Sequence, residues 1–498
     1  MNIRPFFVAL LFPLFGFAAD TPNIIFILAD DMGVGDVSHM GGKAATPFID
    51  QLAAEGMRFT DAHTSSSVCT PTRYSVLTGR YNWRTHLKKS VYVKPKDRPL
   101  IEPGEATIAS VLKTKGYHSS CVGKWHLGIG WQFLDDYKPK PEHKGHGWDI
   151  DYSKPAITPT SNGFDEFFGI QASLDMAPYV YIRNDLAIEP GTVLKGFNRP
   201  GAATPDFEAN QCLIDFARES VAYIDRRAEE PDTPFFLYLP LTSPHTPIVP
   251  SEKWLGKSVI GEYGDFLMET DWVVGEVMRA LEKHGMKDTL LIFSTDNGCS
   301  PRARFANLAK FEHFPSGKLR GHKADIYEGG HRVPFIARWP GTVKAGSVSD
   351  RLTCQTDLLA TFAEVTGVEL ADDAGVDSVS FLPTLLGKEA NQRGATVHHS
   401  IGGFFAIRKG KWKLCLCPGS GGWSAPRPGK EPKGSPQIQL FDLESDPAEE
   451  NNLQADHPKI VKALTEELQA MVDKGRSTPG EAQPLVGQTS ITGPGKRK

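Results

Sequence analysis

Four stretches of the chain are apolar almost without interruption: Ile24 to Leu28 after Asn23, Phe235 to Leu241, Leu290 to Phe293 and Val333 to Ala337. Runs with no polar alternation predict central strands of a parallel sheet, buried on both faces. Between them the period changes. Leu213, Phe216, Ala217, Val221 and Ile224 fall on one helical face, as do Val274, Val277, Met278 and Leu281. The second of these helices stops at His284-Gly285, a cation followed by a glycine, and a third, Asp357 to Thr366, ends at Gly367. Strands alternating with helices over this length predict an α/β fold: a large mixed, mostly parallel sheet with helices on both faces. From about Gly387 the texture changes. Phe404 to Leu416 is strand-like, Pro418 to Pro436 reads as an exposed Gly/Pro/Ser/Lys-rich loop, and Leu440 to Leu443 is a short strand. Ile460, Leu464, Leu468 and Met471 space out one last amphipathic helix. The expectation is a large domain over residues 19–386, a smaller C-terminal subdomain with an antiparallel sheet and a helix over 387–476, and a disordered tail over 477–498.

Residues 1–18 carry Arg4, an apolar run from Pro5 to Phe17, and the small residues Gly16 and Ala18 at the −3 and −1 positions of a cleavage site. This is the pattern of a signal peptide, so an exported protein, periplasmic or secreted, is expected. With no cysteine beside that site and no other long apolar stretch, no stable membrane anchor is expected. A net charge of −4 makes no case for nucleic acid. Seven cysteines is an odd number for an exported chain and asks for an explanation.

Two of the apolar runs end alike. Ile24 to Leu28 leads through Ala29 to Asp30-Asp31-Met32-Gly33, and Leu290 to Phe293 leads through Ser294-Thr295 to Asp296-Asn297-Gly298. In an open α/β sheet, ligands gather at the carboxyl ends of the strands. If these strands are neighbours, three carboxylates and a carboxamide converge, and a hard divalent cation, Ca²⁺ with Mg²⁺ as the alternative, relieves their repulsion. Taken alone, each pair is also what a solvated turn of Asp, Asn and Gly looks like.

Four further segments carry chemistry. Cys69-Thr70-Pro71-Thr72-Arg73 runs into Leu77-Thr78-Gly79, placing a permanent planar cation close to a cysteine. Gly123-Lys124-Trp125-His126-Leu127-Gly128 sets a lysine and a histidine two residues apart after a short strand. Ser243-Pro244-His245-Thr246-Pro247 follows the strand Phe235 to Leu241, and Leu319-Arg320-Gly321-His322-Lys323 precedes Tyr327-Glu328-Gly329-Gly330-His331-Arg332-Val333-Pro334. In this order, from Asn23 to Leu440-Phe441-Asp442-Leu443, the set resembles the formylglycine-dependent sulfatases of the alkaline phosphatase superfamily, of the exported arylsulfatase and carbohydrate-sulfatase type. The chain departs from that pattern at His118-Ser119 and at Ala324-Asp325. Lys318 is the alternative should Lys323 point away.

The resemblance implies that Cys69 is converted by a maturation enzyme to formylglycine (3-oxoalanine), whose hydrate attacks the sulfur of a sulfate ester. It implies one calcium per chain, held by Asp30, Asp31, Asp296, Asn297 and the modified side chain at position 69. Arg73, Lys124 and Lys323 would neutralise the sulfuryl oxygens, His245 or Lys323 would protonate the leaving alcohol, and His126 would take the proton that regenerates the aldehyde. The substrate implied is a sulfated glycan or a small sulfate ester. Asp175, Tyr179 and Arg183 are the candidate sugar contacts, their mixture of polar and aromatic groups suiting a sugar face and equally suiting core and rim packing. Two other functions stay open: a phosphodiesterase or phosphonate monoester hydrolase of the same superfamily, and a catalytically dead glycan-binding protein.

Overall fold

In the computed structural model, which describes residues 21–388 and 393–492, four parallel strands form the centre of a ten-stranded sheet. They are β1 (Asn23–Ala29), β2 (His118–Lys124), β3 (Phe235–Pro240) and β4 (Thr289–Thr295), lying in the order β4-β1-β3-β2. Residues 24–28 of β1 are entirely buried, and successive side chains enter two separate cores. Ile25 and Ile27 pack on one side, and Ile24, Phe26 and Leu28 on the other. A strand that fills two cores has no polar face, which is why its sequence does not alternate.

Helices supply both cores. Leu213, Phe216 and Ile224 of helix Cys212–Ala228 and Val274, Val277 and Leu281 of helix Glu262–Lys283 cover one face. Tyr74, Val76 and Leu77 of α1 (Cys69–Thr78), with Leu358, Leu359 and Phe362 of helix Leu358–Val365, cover the other. Each such side chain contributes about 1.5–3 kcal/mol by leaving water. No helix among the described residues is long and apolar enough to cross a membrane. The expected signal peptide, 1–18, lies outside the described residues.

The structure corrects four details. The run Val333 to Ala337 forms strand Phe335–Arg338 antiparallel to β4, because the chain leaves β4 at its carboxyl end, builds loops there and re-enters from the same end. Phe404 to Leu416 is a hairpin, Phe405–Lys409 paired with Trp412–Cys415, turning at Gly410 with φ 55°. The first part of the expected exposed loop 418–436 is buried, with Ser420, Gly421 and Gly422 packed against the large sheet's loops. The expected disordered tail is tied down through residue 492: Ser477 donates to the Val376 carbonyl, Thr489 accepts from Lys88, and Ile491 is buried.

A separate four-stranded antiparallel sheet, Thr396–His399, Phe405–Lys409, Trp412–Cys415 and Gln439–Asp442, follows the large one. Leu464, Leu468 and Val472 of helix Pro458–Asp473 pack onto its Ile407, Leu414 and Leu440, with Met471 only partly buried. The two sheets are stitched where Ser67 donates to the His399 carbonyl and accepts at its own carbonyl from the Ala324 amide.

Candidate active site

Because β1 and β4 are paired through Ala29 and Thr295, the residues that follow them meet. The Asp30 amide donates to the Ser243 carbonyl just past β3, and the Asp296 amide to the Ala29 carbonyl. Three carboxyl ends are thereby drawn to one spot. Asp31 holds a left-handed φ of 67° and turns its carboxylate towards Asn297, whose amide nitrogen donates to it at 2.6 Å. The Asn297 carbonyl oxygen is buried with no partner. Ligand atoms of Asp30, Asp31, Cys69 and His245 lie within 4.8 Å of one another, whereas Asp296 turns to Arg73, with Nη2 to carboxylate oxygen 2.8 Å.

Cys69 opens the fully buried helix α1, its Sγ 3.6 Å from Asp30 Oδ1. Arg73, one turn later on the same helix face, also donates to the Lys124 carbonyl at 3.0 Å. Lys124 closes β2 and reaches Asp30 Oδ2 at 2.5 Å. That approach depends on Gly123, where φ is 135° and an added Cβ would lie 2.0 Å from the Pro240 carbonyl oxygen. His126, at φ 61°, gives its Nε2 to the Tyr92 carbonyl at 2.8 Å and leaves a buried Nδ1 without a partner. That carbonyl can only accept, so Nε2 carries the proton and Nδ1 is a free base. His245 directs Nδ1 to the Thr246 carbonyl and Nε2 towards Asp31, at 3.7 Å. Lys323 is buried, 2.6 Å from Asp31 Oδ1, while Lys318 is exposed.

Burial works against every charge here, and the neighbours decide the outcome. Asp30 is held well below the usual carboxylate range because Lys124, His245, Arg73 and Lys323 outweigh its burial. Burial together with Asp30 pushes Asp31 up and Asp296 up to about 6. Burial and then Lys323 lower His245 to about 3, and burial and then Lys124 put His126 well below its ordinary value. Burial pushes the Cys69 thiol up, so as a cysteine it stays protonated and is a poor nucleophile. Asp31 and Asp296, which resist ionisation beside the ionised Asp30, and the orphaned Asn297 carboxamide oxygen offer oxygen donors that fit a hard divalent cation, next to the Cys69 sulfur and a His245 nitrogen.

Cys69, His126, His245 and Lys323 line a cavity of about 600 Å³. Of the three candidate sugar contacts, Asp175 is on its wall, with one oxygen 2.5 Å from Arg199 and the other buried and unpartnered. The other two need correction. Tyr179 is core, its ring against Phe197 and Phe207, and Arg183 lies on the strand next to the sheet's edge, paired with Glu219 and outside the cavity lining. Arg199, Arg302 and Trp423 also line the cavity and were not singled out in the sequence. A lone tryptophan in a Gly/Pro-rich stretch was the one available signal.

Trp423 is placed by Asp325, whose Oδ1 accepts the amides of Trp423 and Ser424 at 2.8 and 3.0 Å. Gly422 lies so close to the Ala324 carbonyl that a Cβ would be 2.2 Å from its oxygen. A second cluster, His63, His331 and His398 beside Asp61 and Glu328, is no metal site. Each ring nitrogen already has a protein partner and the Lys413 ammonium sits 3.0 Å from His331.

Residues 22–368 match the sulfatase family, and the chain belongs to it. Over 90% of its length it is 34% identical to 93% of an N-acetylgalactosamine-6-O-sulfatase from Bacteroides thetaiotaomicron. It is 32% identical to human arylsulfatase A, covering 91% of this chain and 87% of that one. A solved 6S-sulfatase structure concerned with glycosaminoglycan metabolism in Bacteroides thetaiotaomicron superposes with a TM-score of 0.78 at 31% identity, over 91% of this chain and 99% of the other. The protein is a sulfuric ester hydrolase.

Proposed function

We propose that the chain removes sulfate from sulfated carbohydrate, with an N-acetylhexosamine or galactose sulfate as the unit attacked, after Cys69 has been converted to formylglycine. The observation that carries this is the placement of Cys69 at the start of a buried helix, in the wall of a cavity that it shares with Lys323, His126 and His245, with Arg73 and Lys124 buried next to that wall on Asp296 and Asp30. Similarity to an N-acetylgalactosamine-6-O-sulfatase over nearly the whole chain supports the sugar. The conversion is an oxidation of the thiol-bearing carbon, carried out by a separate maturation enzyme with an external oxidant. Export by a signal peptide at 1–18 belongs to the same reading.

Asp30, Asp31, Asp296, Asn297 and the side chain at 69 would hold a divalent cation, Ca²⁺ by the oxygen-only donor set. When bound, it supplies Lewis-acid polarisation of the group at position 69 and of the sulfate oxygens. The chain's own residues do the rest. Arg73 fixes Asp296 and the carbonyl of Lys124, so the nucleophile's helix and the lysine strand keep one geometry. Lys124 and Lys323, now paired with Asp30 and Asp31, supply positive charge that offsets the negative charge on the sulfuryl oxygens and on the leaving oxygen in the transition state. Lys323 or His245 gives the alcohol its proton. The free Nδ1 of His126 takes the proton whose loss expels sulfate and restores the aldehyde.

The test is the mass of the tryptic peptide Phe59 to Arg73 from protein matured in a competent host, together with turnover of N-acetylgalactosamine 6-sulfate, 4-nitrophenyl sulfate and bis(4-nitrophenyl) phosphate. An aldehyde at position 69, sulfate release, and no release by Cys69→Ala are expected. A free thiol in an active enzyme, or preference for the phosphodiester, overturns the reading.

A further inference from the structure

Beside the catalytic cavity lies a second, of about 950 Å³, and the two share Asn198, Thr246 and Arg302 in their walls. The pair therefore forms one continuous depression that runs from Cys69 past Arg302 to Phe311. We propose that this outer groove binds the continuation of an acidic oligosaccharide, a sulfated or uronate-bearing chain, while its sulfated sugar occupies the catalytic cavity. The proposal rests on the sulfatase reading of the adjoining site.

The groove's charge is one-sided. Its lining holds Arg302, Arg304 and Lys310 against one acid, Glu262. All three cations are exposed, and none makes an ion pair among the described residues; Lys310 reaches only the Asn307 carboxamide, at 3.4 Å. Some exposed basic side chains elsewhere are paired, as Arg183 is with Glu219 and Lys113 with Asp165; what sets these three apart is that they share one concavity. Cations left unpaired in a concavity raise the local concentration of an anion and await one.

Two further features fit a sugar chain. Val259 and Phe311, 71% and 46% exposed, give the groove apolar surface on which the C–H faces of sugar rings can lie between the charged contacts. Arg304 has a left-handed φ of 62°, unusual for a residue with a Cβ. Its amide is held by the Pro301 carbonyl, and its own carbonyl accepts from Asn307 at 2.7 Å. The backbone is thus fixed in a disfavoured conformation at the position that lines the groove.

Matured enzyme is assayed on three substrates: 4-nitrophenyl sulfate, N-acetylgalactosamine 6-sulfate, and a pentasaccharide that alternates N-acetylgalactosamine 6-sulfate with glucuronate and has the sulfated sugar at both ends. The expected result is a kcat/KM for the pentasaccharide about tenfold above that for the monosaccharide, carried by KM, and shrinking as salt rises from about 0.05 to about 0.5 M. In the double variant Arg304→Ala, Lys310→Ala the ratio of the two should fall to near one. Equal rates on the two sugars, or a preference that survives the double variant, overturns the groove while leaving the sulfatase reading intact. Failure to release sulfate even from 4-nitrophenyl sulfate overturns both.

Discussion

The Lys323 ammonium lies 2.6 Å from Asp31 Oδ1 although the two residues are 292 positions apart in sequence. The contact joins the end of the central strand to a loop that the small C-terminal sheet clamps in place. It also puts Lys323, and not the exposed Lys318, in the wall of the cavity, which makes Lys323 the lysine proposed to face the sulfate. Lys323→Met should lower kcat/KM by about 10²–10³, the usual effect of removing one charge-stabilising donor. Lys318→Ala should stay within about twofold. Sulfate release from N-acetylgalactosamine 6-sulfate measures both, and equal losses in the two variants would contradict the assignment.

Asn297 offers a buried carbonyl oxygen with no partner, beside Asp31. Binding of a divalent cation by the folded chain alone should raise stability by about 2.7 kcal/mol at a hundred times its Kd. Added Ca²⁺ should therefore raise Tm in the wild type, and chelation should lower both Tm and activity. Asn297→Ala should keep the fold yet lose most of the Ca²⁺-dependent rise. A Tm indifferent to Ca²⁺ in the wild type would argue against the site.

The strands were legible because each of β1, β3 and β4 fills two cores at once, which writes an unbroken apolar run into the chain. Asp30 and Asp296 were legible because such runs stop where the sheet ends. Direction was not legible for Phe335–Arg338, since an antiparallel strand buried on both faces looks the same in sequence. Tyr179 was misplaced for a related reason: an aromatic near polar residues suits a sugar face or a core, and only its packing on Phe197 decides. Arg199, Arg302 and Trp423 come from three separate segments. Their convergence is tertiary and leaves no local period to read.

Asp325, where the chain departs from the family pattern, accepts two amides from the loop that carries Trp423. Hydrogen bonds to a charged acceptor contribute about 1.5–3 kcal/mol each. Asp325→Ala should lower Tm measurably and raise KM for a sugar sulfate, since both Trp423 and the Lys323 loop lose their anchor. Trp423→Ala should raise KM with kcat little changed and leave Tm alone. A kcat defect from Trp423→Ala equal to its KM defect would show that the indole does more than wall the cavity.

The buried cluster of His63, His331 and His398 should make the fold sensitive to acid. Burial lowers all three, with His398 and Lys413 adding to it at His331, and His63 and Lys413 at His398. Around them stand Asp61, Glu328, Arg408, Lys413 and Glu449. An imidazole whose folded pKa lies below its unfolded value near 6.5 is neutral at no cost above that pH. Below it, the unfolded chain binds a proton that the folded chain does not, so stability falls as pH falls. Asp61 and Glu328, held low by their cationic neighbours, add to this only below about pH 4. Glu449 acts in the opposite sense: burial pushes it up to about 7, so its contribution is lost as pH rises. Three imidazoles against one carboxyl make the cluster's net contribution to stability fall as pH drops from about 6 to about 5. Urea midpoints should drop accordingly across that interval. His398→Asn, which can still donate to the Thr64 carbonyl, should flatten the slope by about one proton. A stability that is level or rises towards pH 5 would mean that these imidazoles take up protons within the fold.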